Sequence, residues 1–171
     1  MIVRNLLAAA ALAGLTAPAH AQASAPQAPA PQVVGVAKAV AVAERALGAR
    51  AFDAELDTER GALVYEIDLV KDGRAMEAEV DAATGRLLRH ARPAGLRLPF
   101  GGEALKAAQA APRSLSETIA LVEAQTKGRV SDIGLEREAG RHYYEVELAG
   151  AQDREVRVDL RTGAITPVID D

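Results

Sequence analysis

The pattern DxxTG occurs twice in the chain, and in each copy a carboxylate, a hydroxyl and a glycine lie close together. The copies are Asp81, Thr84 and Gly85, and Asp159, Thr162 and Gly163. Such oxygens could bind Ca²⁺, but calcium loops use several ligands and this motif offers only Asp and Thr. The same side chains can instead accept and donate hydrogen bonds in a tight turn, with glycine supplying a positive φ. We therefore predict a structural turn in both copies.

A second candidate is a set of acidic residues that alternate with apolar residues before each DxxTG. Such alternation places every second side chain on one face of a β-strand. The acidic rows are Glu66, Asp68, Glu77 and Glu79, and then Glu145, Glu147 and Glu155. We expect them to project from the sheet face opposite a helix. Because cross-strand carboxylates repel by about 0.2–1 kcal/mol per pair, a cationic partner would relieve this cost. The alternative is a solvated face that keeps the protein soluble.

Residues suited to catalysis are few. Ser114, Ser116 and Ser131 lie in no GxSxG motif, and His90 and His142 have no HExxH or paired spacing for a metal. The paired carboxylates are similar to those of glycosidases, but an open sheet face lacks the pocket that would raise one pKa above its neighbour. We predict no catalytic residue, metal or cofactor, with a serine or carboxylate hydrolase as the least favoured alternative.

The elements that must position these residues are present twice. Tyr144 follows Tyr65 by 79 residues, and Thr162 follows Thr84 by 78. Each half begins with an amphipathic helix, and the second helix starts at a capping box, Ser114-Leu115-Ser116-Glu117. Three alternating segments joined by short turns follow, which predicts antiparallel strands, and a short fourth strand comes after TG. We expect an α+β fold of two small repeats, each a helix packed on a sheet of three or four antiparallel strands.

The first residues have the pattern of a Sec signal peptide. Arg4 precedes an apolar run from Leu6 to Leu15, and Ala19-His20-Ala21 is a small-x-small cleavage site. We predict cleavage after Ala21 and a periplasmic protein. The apolar run is shorter than the roughly 20 residues that cross a bilayer, so no membrane span is expected after cleavage.

Proline and glycine mark the predicted boundaries. Residues 1–21 form the signal peptide, 22–33 a disordered Ala/Pro linker, 34–90 the first repeat, 91–112 an inter-repeat linker and 113–171 the second repeat. Glu103 to Ala111 is expected to form a short helix within the second linker. Earlier in the same linker, the side chains of Leu96, Leu98 and Phe100 could fill a groove between the repeats or pack locally.

The composition limits the class of function further. The chain has 171 residues, no cysteine and 20 Lys and Arg against 24 Asp and Glu, a formal net charge of −4. The absence of cysteine excludes disulfides and an acylated lipoprotein thiol. A mildly acidic chain without a dense basic patch is not expected to bind nucleic acid.

The order of these elements resembles the PepSY family. The resemblance rests on Tyr65-Glu66-Ile67-Asp68-Leu69 with the first VDxxTG, and on Tyr144-Glu145-Val146-Glu147-Leu148 with the second. It implies a cystatin-like α+β module, found in propeptides of thermolysin-type metallopeptidases and in exported bacterial proteins, with a proposed role in inhibiting or regulating peptidases. It implies no catalytic residues. The second copy has Arg157 where the first has Glu79, so the two acidic faces need not bind alike.

We therefore expect an exported, non-enzymatic module that binds a polypeptide, such as an exported peptidase or its propeptide region. Addition of a partner strand at an exposed sheet edge is one expected mode of binding. The alternative is a periplasmic module for a cation or a small ligand on the acidic rows. The sequence indicates no oligomeric state.

Overall fold

The structure is a computed structural model, and it is described here over residues 32–91, 102–150 and 154–168. The predicted signal peptide, almost all of the first linker, and Leu96, Leu98 and Phe100 lie outside this described part. Within it, no helix is both long enough and apolar enough to cross a membrane.

The described residues include three helices. Helix α1 is Val36–Leu47, α2 is Gly102–Ala110 and α3 is Leu115–Thr126. Helix α1 ends at Gly48, which adopts the left-handed conformation. Helix α3 begins with the predicted capping box, because Ser114 accepts from the Glu117 amide and the Glu117 carboxylate accepts from the Ser114 amide. The expected short helix in the second linker is present as α2.

The described residues also include eight strands, six of them at the predicted alternating segments and two at the short segments expected after TG. The first four are β1 (Arg50–Glu59), β2 (Ala62–Lys71), β3 (Arg74–Asp81) and β4 (Leu87–Ala91). The other four are β5 (Arg129–Glu138), β6 (Arg141–Ala149), β7 (Arg154–Asp159) and β8 (Ile165–Pro167). All neighbouring strands are antiparallel, and the predicted α+β class with an antiparallel sheet is confirmed.

The strands of the two repeats form one continuous sheet in the order β4-β3-β2-β1-β5-β6-β7-β8. The repeats meet where β1 pairs with β5, and Ala54 there lies opposite Ile133. Ile133 follows Ala54 by 79 residues, so each repeat contributes the same position to this pair. The joint is therefore nearly self-complementary, as at a two-fold interface between identical subunits.

The helices cover one face of this sheet. Helices α1 and α3 contact each other and β1, and α2 contacts β1, β2 and β5. The apolar row beneath them is fully buried, as Ala54, Ile67, Ile133 and Val146 each have 0% exposure. The residues that alternate with this row therefore lie on the opposite face, which no described helix covers.

Candidate functional site

The two DxxTG turns have the same set of hydrogen bonds. The Thr84 amide and hydroxyl donate to Asp81 Oδ1 at 2.7 and 2.6 Å, and those of Thr162 donate to Asp159 Oδ1 at 2.7 and 2.8 Å. These bonds hold the pKa of both aspartates below its usual range. Gly85 and Gly163 have φ values of 73° and 74°, a conformation in which glycine avoids the Cβ strain of other residues. The aspartate oxygens are thus used within the turns.

The bare face of the sheet brings the predicted acidic rows of both repeats together. Glu66 lies opposite Glu79 and Asp68 opposite Glu77 in the first repeat. In the second repeat Glu147 lies opposite Glu155 and Glu145 opposite Arg157. The predicted carboxylates therefore share a surface that crosses the sheet.

Three further carboxylates lie on this surface at the joint between the repeats. Asp53 and Glu55 of β1 lie opposite Asp68 and Glu66, and Glu55 also lies opposite Asp132 of β5. Sequence analysis identified β1 as alternating but left these residues out of the site, because nothing local to β1 or β5 indicates that they pair. We call the following six residues the central acidic patch: Asp53, Glu55, Glu66, Asp68, Asp132 and Glu147.

Arginines compensate the acidic residues only towards the ends of the sheet. In the first repeat Arg89 of β4 forms an ion pair with Glu79 and lies 3.7 Å from Glu77. In the second, Arg157 of β7 lies 3.1 Å from Glu145 and 3.0 Å from Glu138. Among the described residues, no basic side chain lies within ion-pair distance of the central acidic patch. The negative charge is thus least compensated at the joint.

Partial burial shifts several of these carboxyl groups towards the neutral form. Desolvation, followed by repulsion from Asp132, raises the pKa of Asp53 to about 7. Desolvation also raises the pKa of Asp68 and of Asp132 to about 6, with repulsion from Glu77 and Glu147 as the next cause. It raises the pKa of Glu66 as well. The expectation that an open face leaves no carboxyl group desolvated is therefore wrong.

Gly134 lies directly against the Asp53 carboxylate. The two residues lie opposite each other in the β1–β5 pair, and a Cβ on Gly134 would lie 2.9 Å from Asp53 Oδ2. The Asp53 carboxylate thus rests over the backbone of β5, where a side chain would not fit without movement. Glu55 occupies the equivalent position in the first repeat. Glycine at position 134 therefore leaves the second repeat with one carboxylate fewer at the joint.

The candidate catalytic side chains are dispersed, and the serines have structural partners. Ser114 caps α3, the Ser116 hydroxyl donates to Glu44 at 2.9 Å, and the Ser131 hydroxyl donates to the Glu147 carbonyl at 3.3 Å. His90 is exposed on β4, and His142 is half-buried at the start of β6.

One group of acids has a spacing that could suit a cation. Carboxylate oxygens of Glu59, Glu66 and Glu79 lie within 4.8 Å of one another. The Arg89 guanidinium is paired with Glu79 and lies 4.0 Å from Glu59, so a protein cation already neutralises part of this group.

The outer edges of the described sheet are short. They are β4, with five residues, and β8, with three, while the joint pairs Asp53 to Glu55 of β1 with Asp132 to Gly134 of β5. Pro167 lies within β8, and proline cannot donate a backbone hydrogen bond to an added strand. The sheet face is therefore a larger potential binding surface than either edge.

Comparison with known families identifies the repeated unit. The model of the PepSY family, described as the peptidase propeptide and YPEB domain, matches residues 33–91 and 103–166. The chain belongs to the PepSY family. It contains two PepSY copies in tandem, as the sequence resemblance indicated, and the second match includes most of α2. The central acidic patch is formed by both PepSY copies.

Comparisons with individual proteins add little to this assignment. No curated protein matches the chain at a significant level. Among solved structures, a putative lipoprotein from Clostridium difficile 630 matches with 15% identity and a TM-score of 0.44, over 79% of this chain and 92% of that one. A likeness at this level carries no argument about function.

Proposed function

We propose that this protein is an exported, non-enzymatic PepSY module that binds a basic segment of a polypeptide on the bare face of its sheet. The observation that supports this most directly is the central acidic patch, which has no ion-pair partner among the described residues. A peptidase or its propeptide region is the class of partner that the family description suggests, and regulation of that peptidase is the corresponding role. The predicted signal peptide provides the route to the periplasm.

The electrostatics of the patch favour a cationic partner. Asp53 and Asp132 each have desolvation and a neighbouring carboxylate as the leading causes of a raised pKa. A Lys or Arg side chain placed between these groups would favour their charged forms and would remove the repulsion. Binding would thus remove a repulsion between carboxylates that the unbound protein retains.

The geometry favours the face over the edges as the binding surface. Addition of a partner strand, the mode considered from the sequence, has short outer edges at β4 and β8 in the described sheet, and the inner strands β1 and β5 already pair with each other at their centres. The face crosses both PepSY copies, and its two arginines, Arg89 and Arg157, lie outside the patch. A basic segment lying across the joint would contact both copies at once.

A periplasmic cation-binding module is the second candidate. The group of Glu59, Glu66 and Glu79 supports it through the proximity of their oxygens. Binding of a metal ion there requires displacement of the Arg89 guanidinium, so the polypeptide proposal is preferred. A hydrolase is less favoured still, since Ser114, Ser116 and Ser131 each have a structural hydrogen bond.

Peptide titration tests the proposal directly. A lysine-rich peptide should bind, a glutamate-rich peptide of equal length should not, and affinity should fall as salt is raised from about 0.1 M to about 1 M. The double variant Glu55→Gln/Glu66→Gln should weaken binding by about tenfold, or about 1.4 kcal/mol. The matched control Asp72→Asn/Glu103→Gln removes two exposed charges outside the patch and should leave affinity unchanged.

Two results would count against the proposal. Equal weakening by both double variants would show that net charge, rather than the patch, attracts the peptide. Failure of the lysine-rich peptide to bind, together with a Ca²⁺-dependent increase in melting temperature, would favour the cation-binding module. If the lysine-rich peptide binds as expected, periplasmic pull-down with the patch variant as the reference would identify the natural polypeptide.

A further inference from the structure

A partly open cavity of about 480 Å³ lies in the second PepSY copy, and none of its lining residues belongs to the central acidic patch. It is bordered by the end of α2, the turn between β5 and β6, and the second DxxTG turn. Its apolar wall comprises Ala107, Ala110, Pro112 and Leu160. Small-molecule sites have volumes of roughly 300–1,000 Å³ and walls of mainly apolar character with a few polar groups. The cavity is therefore large enough for a small organic ligand.

The polar groups of this cavity carry a net positive charge. Arg141 and Arg161 line it, together with Asp159 as the one acidic lining residue. Neither guanidinium lies within ion-pair distance of a carboxylate in the part of the chain that the structure describes. Asp159 Oδ1 already accepts bonds from the Thr162 amide and hydroxyl, so its capacity to bind a cation is reduced. Two cations against one carboxylate leave a charge of +1.

The first PepSY copy serves as an internal reference for this cavity. Its backbone is the same at this point, because Ala82 donates to the Leu63 carbonyl at 3.1 Å and Leu160 donates to the His142 carbonyl at 3.2 Å. Alanines of the first copy, Ala62 and Ala83, occupy the positions of the two arginines. The first copy folds in the same way without these charges, so the fold of the repeat does not require Arg141 or Arg161.

His142 gives a second indication of a role beyond folding. Its Nε2 atom is buried and has no hydrogen-bond partner among the described residues. A buried polar atom without a partner costs free energy, on the order of 1–3 kcal/mol. The first copy avoids this cost with Leu63 at the same position. The second copy therefore has costly or charged side chains around this cavity at positions where the first copy has apolar ones.

We propose that the cavity binds a carboxylate attached to a small apolar group, with Arg141 and Arg161 holding the carboxylate. Arginine presents paired N–H donors that match the two carboxylate oxygens. The alanine, proline and leucine side chains of the wall would contact the apolar group. Such a ligand could be the C-terminal residue of a peptide or a free organic acid. This site shares no residue with the central acidic patch, and its occupancy does not depend on the proposed polypeptide function.

The first test uses the unmodified protein and two probes that differ only in charge. N-acetyl-dialanine with a free carboxylate should bind in isothermal titration calorimetry, and its C-terminal amide should bind at least tenfold more weakly. Propionate distinguishes the two sources of the carboxylate. Binding of propionate with equal affinity indicates a free-acid site, and much weaker binding indicates a site for a peptide C-terminus. Equal affinity for the acid and the amide of dialanine, or binding of neither, would overturn the proposal.

Arginine variants locate the binding site. Arg141→Ala and Arg161→Ala should each reduce affinity for the dialanine acid by at least tenfold. The control Arg74→Ala removes an exposed arginine that does not line the cavity and should retain full affinity. Because both cavity arginines are exposed, circular dichroism should show unchanged folding. Unchanged affinity in both cavity variants would place the ligand elsewhere and refute this assignment.

Discussion

The two PepSY copies have the same backbone at their DxxTG turns but different side chains around them. Each turn has an aspartate that accepts two bonds from threonine, and each has a glycine with a φ near 73°. The second copy has two arginines and a histidine beside its turn, where the first has alanines and a leucine. The residues that the turn itself requires are the same in both copies, whereas the residues beside it are not. The side chains beside the second turn are thus candidates for a specialised role.

The joint between the copies shows the same contrast in its charges. Asp53 and Asp132 occupy equivalent positions, but Asp53 lies opposite Gly134 and Asp132 lies opposite Glu55. The pKa of Asp53 is the higher, about 7 against about 6. Desolvation is the largest cause for both, and repulsion adds to it from more carboxylates at Asp53 than at Asp132, so burial and repulsion act in the same direction.

The largest expected effect tests whether the copies unfold as one unit. Ile67 and Ile133, one from each copy, are fully buried in the same core. Ile67→Ala and Ile133→Ala should each lower the free energy of unfolding by about 2–5 kcal/mol, because each leaves a cavity. Since one sheet and one core join the copies, calorimetry should show a single transition that either variant shifts.

The exposed Leu88 provides a control for this comparison. Leu88 has 43% exposure on β4, and Leu88→Ala should change the free energy of unfolding by less than about 0.5 kcal/mol. Two calorimetric transitions, of which Ile67→Ala shifts only one, would show that the copies fold independently despite the shared sheet.

Much of the fold follows from local sequence patterns. Period-two alternation predicts which strand residues are buried, and the Ser114 to Glu117 spacing predicts the start of α3. The pairing of β1 with β5 could not be predicted in this way, because alternation determines the face of a side chain and not the identity of the neighbouring strand. One signal was available: an unpaired β1 would leave a ten-residue edge, and long exposed edges favour aggregation.

The candidate site was only partly predicted because the pairing of β1 with β5 was not predicted. The acidic rows of β2, β3, β6 and β7 were identified from sequence, but Asp53, Glu55 and Asp132 entered the site only through the joint. The cavity of the second copy was also missed, because α2 and the turns that enclose it are distant in sequence. A residue-by-residue alignment of the two copies would have shown that arginines of the second copy stand at the positions of Ala62 and Ala83 in the first.

The next largest effect concerns the turn glycines. Gly85→Ala and Gly163→Ala should each cost about 1–2 kcal/mol, because both place a Cβ in the left-handed region. The two costs should be similar, because the Cβ at Gly163 would meet only the flexible end of the exposed Arg113 side chain, and that at Gly85 would meet Val34 at an ordinary 3.6 Å. Urea denaturation of both variants measures the two costs. If Gly163→Ala costs clearly more and Arg113→Ala/Gly163→Ala removes the excess, the Arg113 side chain is held in place at this turn.

The smallest expected effect compares Asp53 and Asp132 by pH. A carboxyl group with a raised pKa in the folded state destabilises the protein progressively as pH rises from the unfolded pKa, about 3.9, to the folded one. Asp53→Asn should therefore raise the free energy of unfolding by about 1 kcal/mol at pH 8 relative to pH 4, after allowance for solvent screening. For Asp53 the gain should grow up to about pH 7, and for Asp132→Asn only up to about pH 6. Chemical denaturation across this range measures both profiles. Identical profiles would contradict the higher pKa of Asp53 and would mean that its burial and acidic neighbours do not set it apart from Asp132.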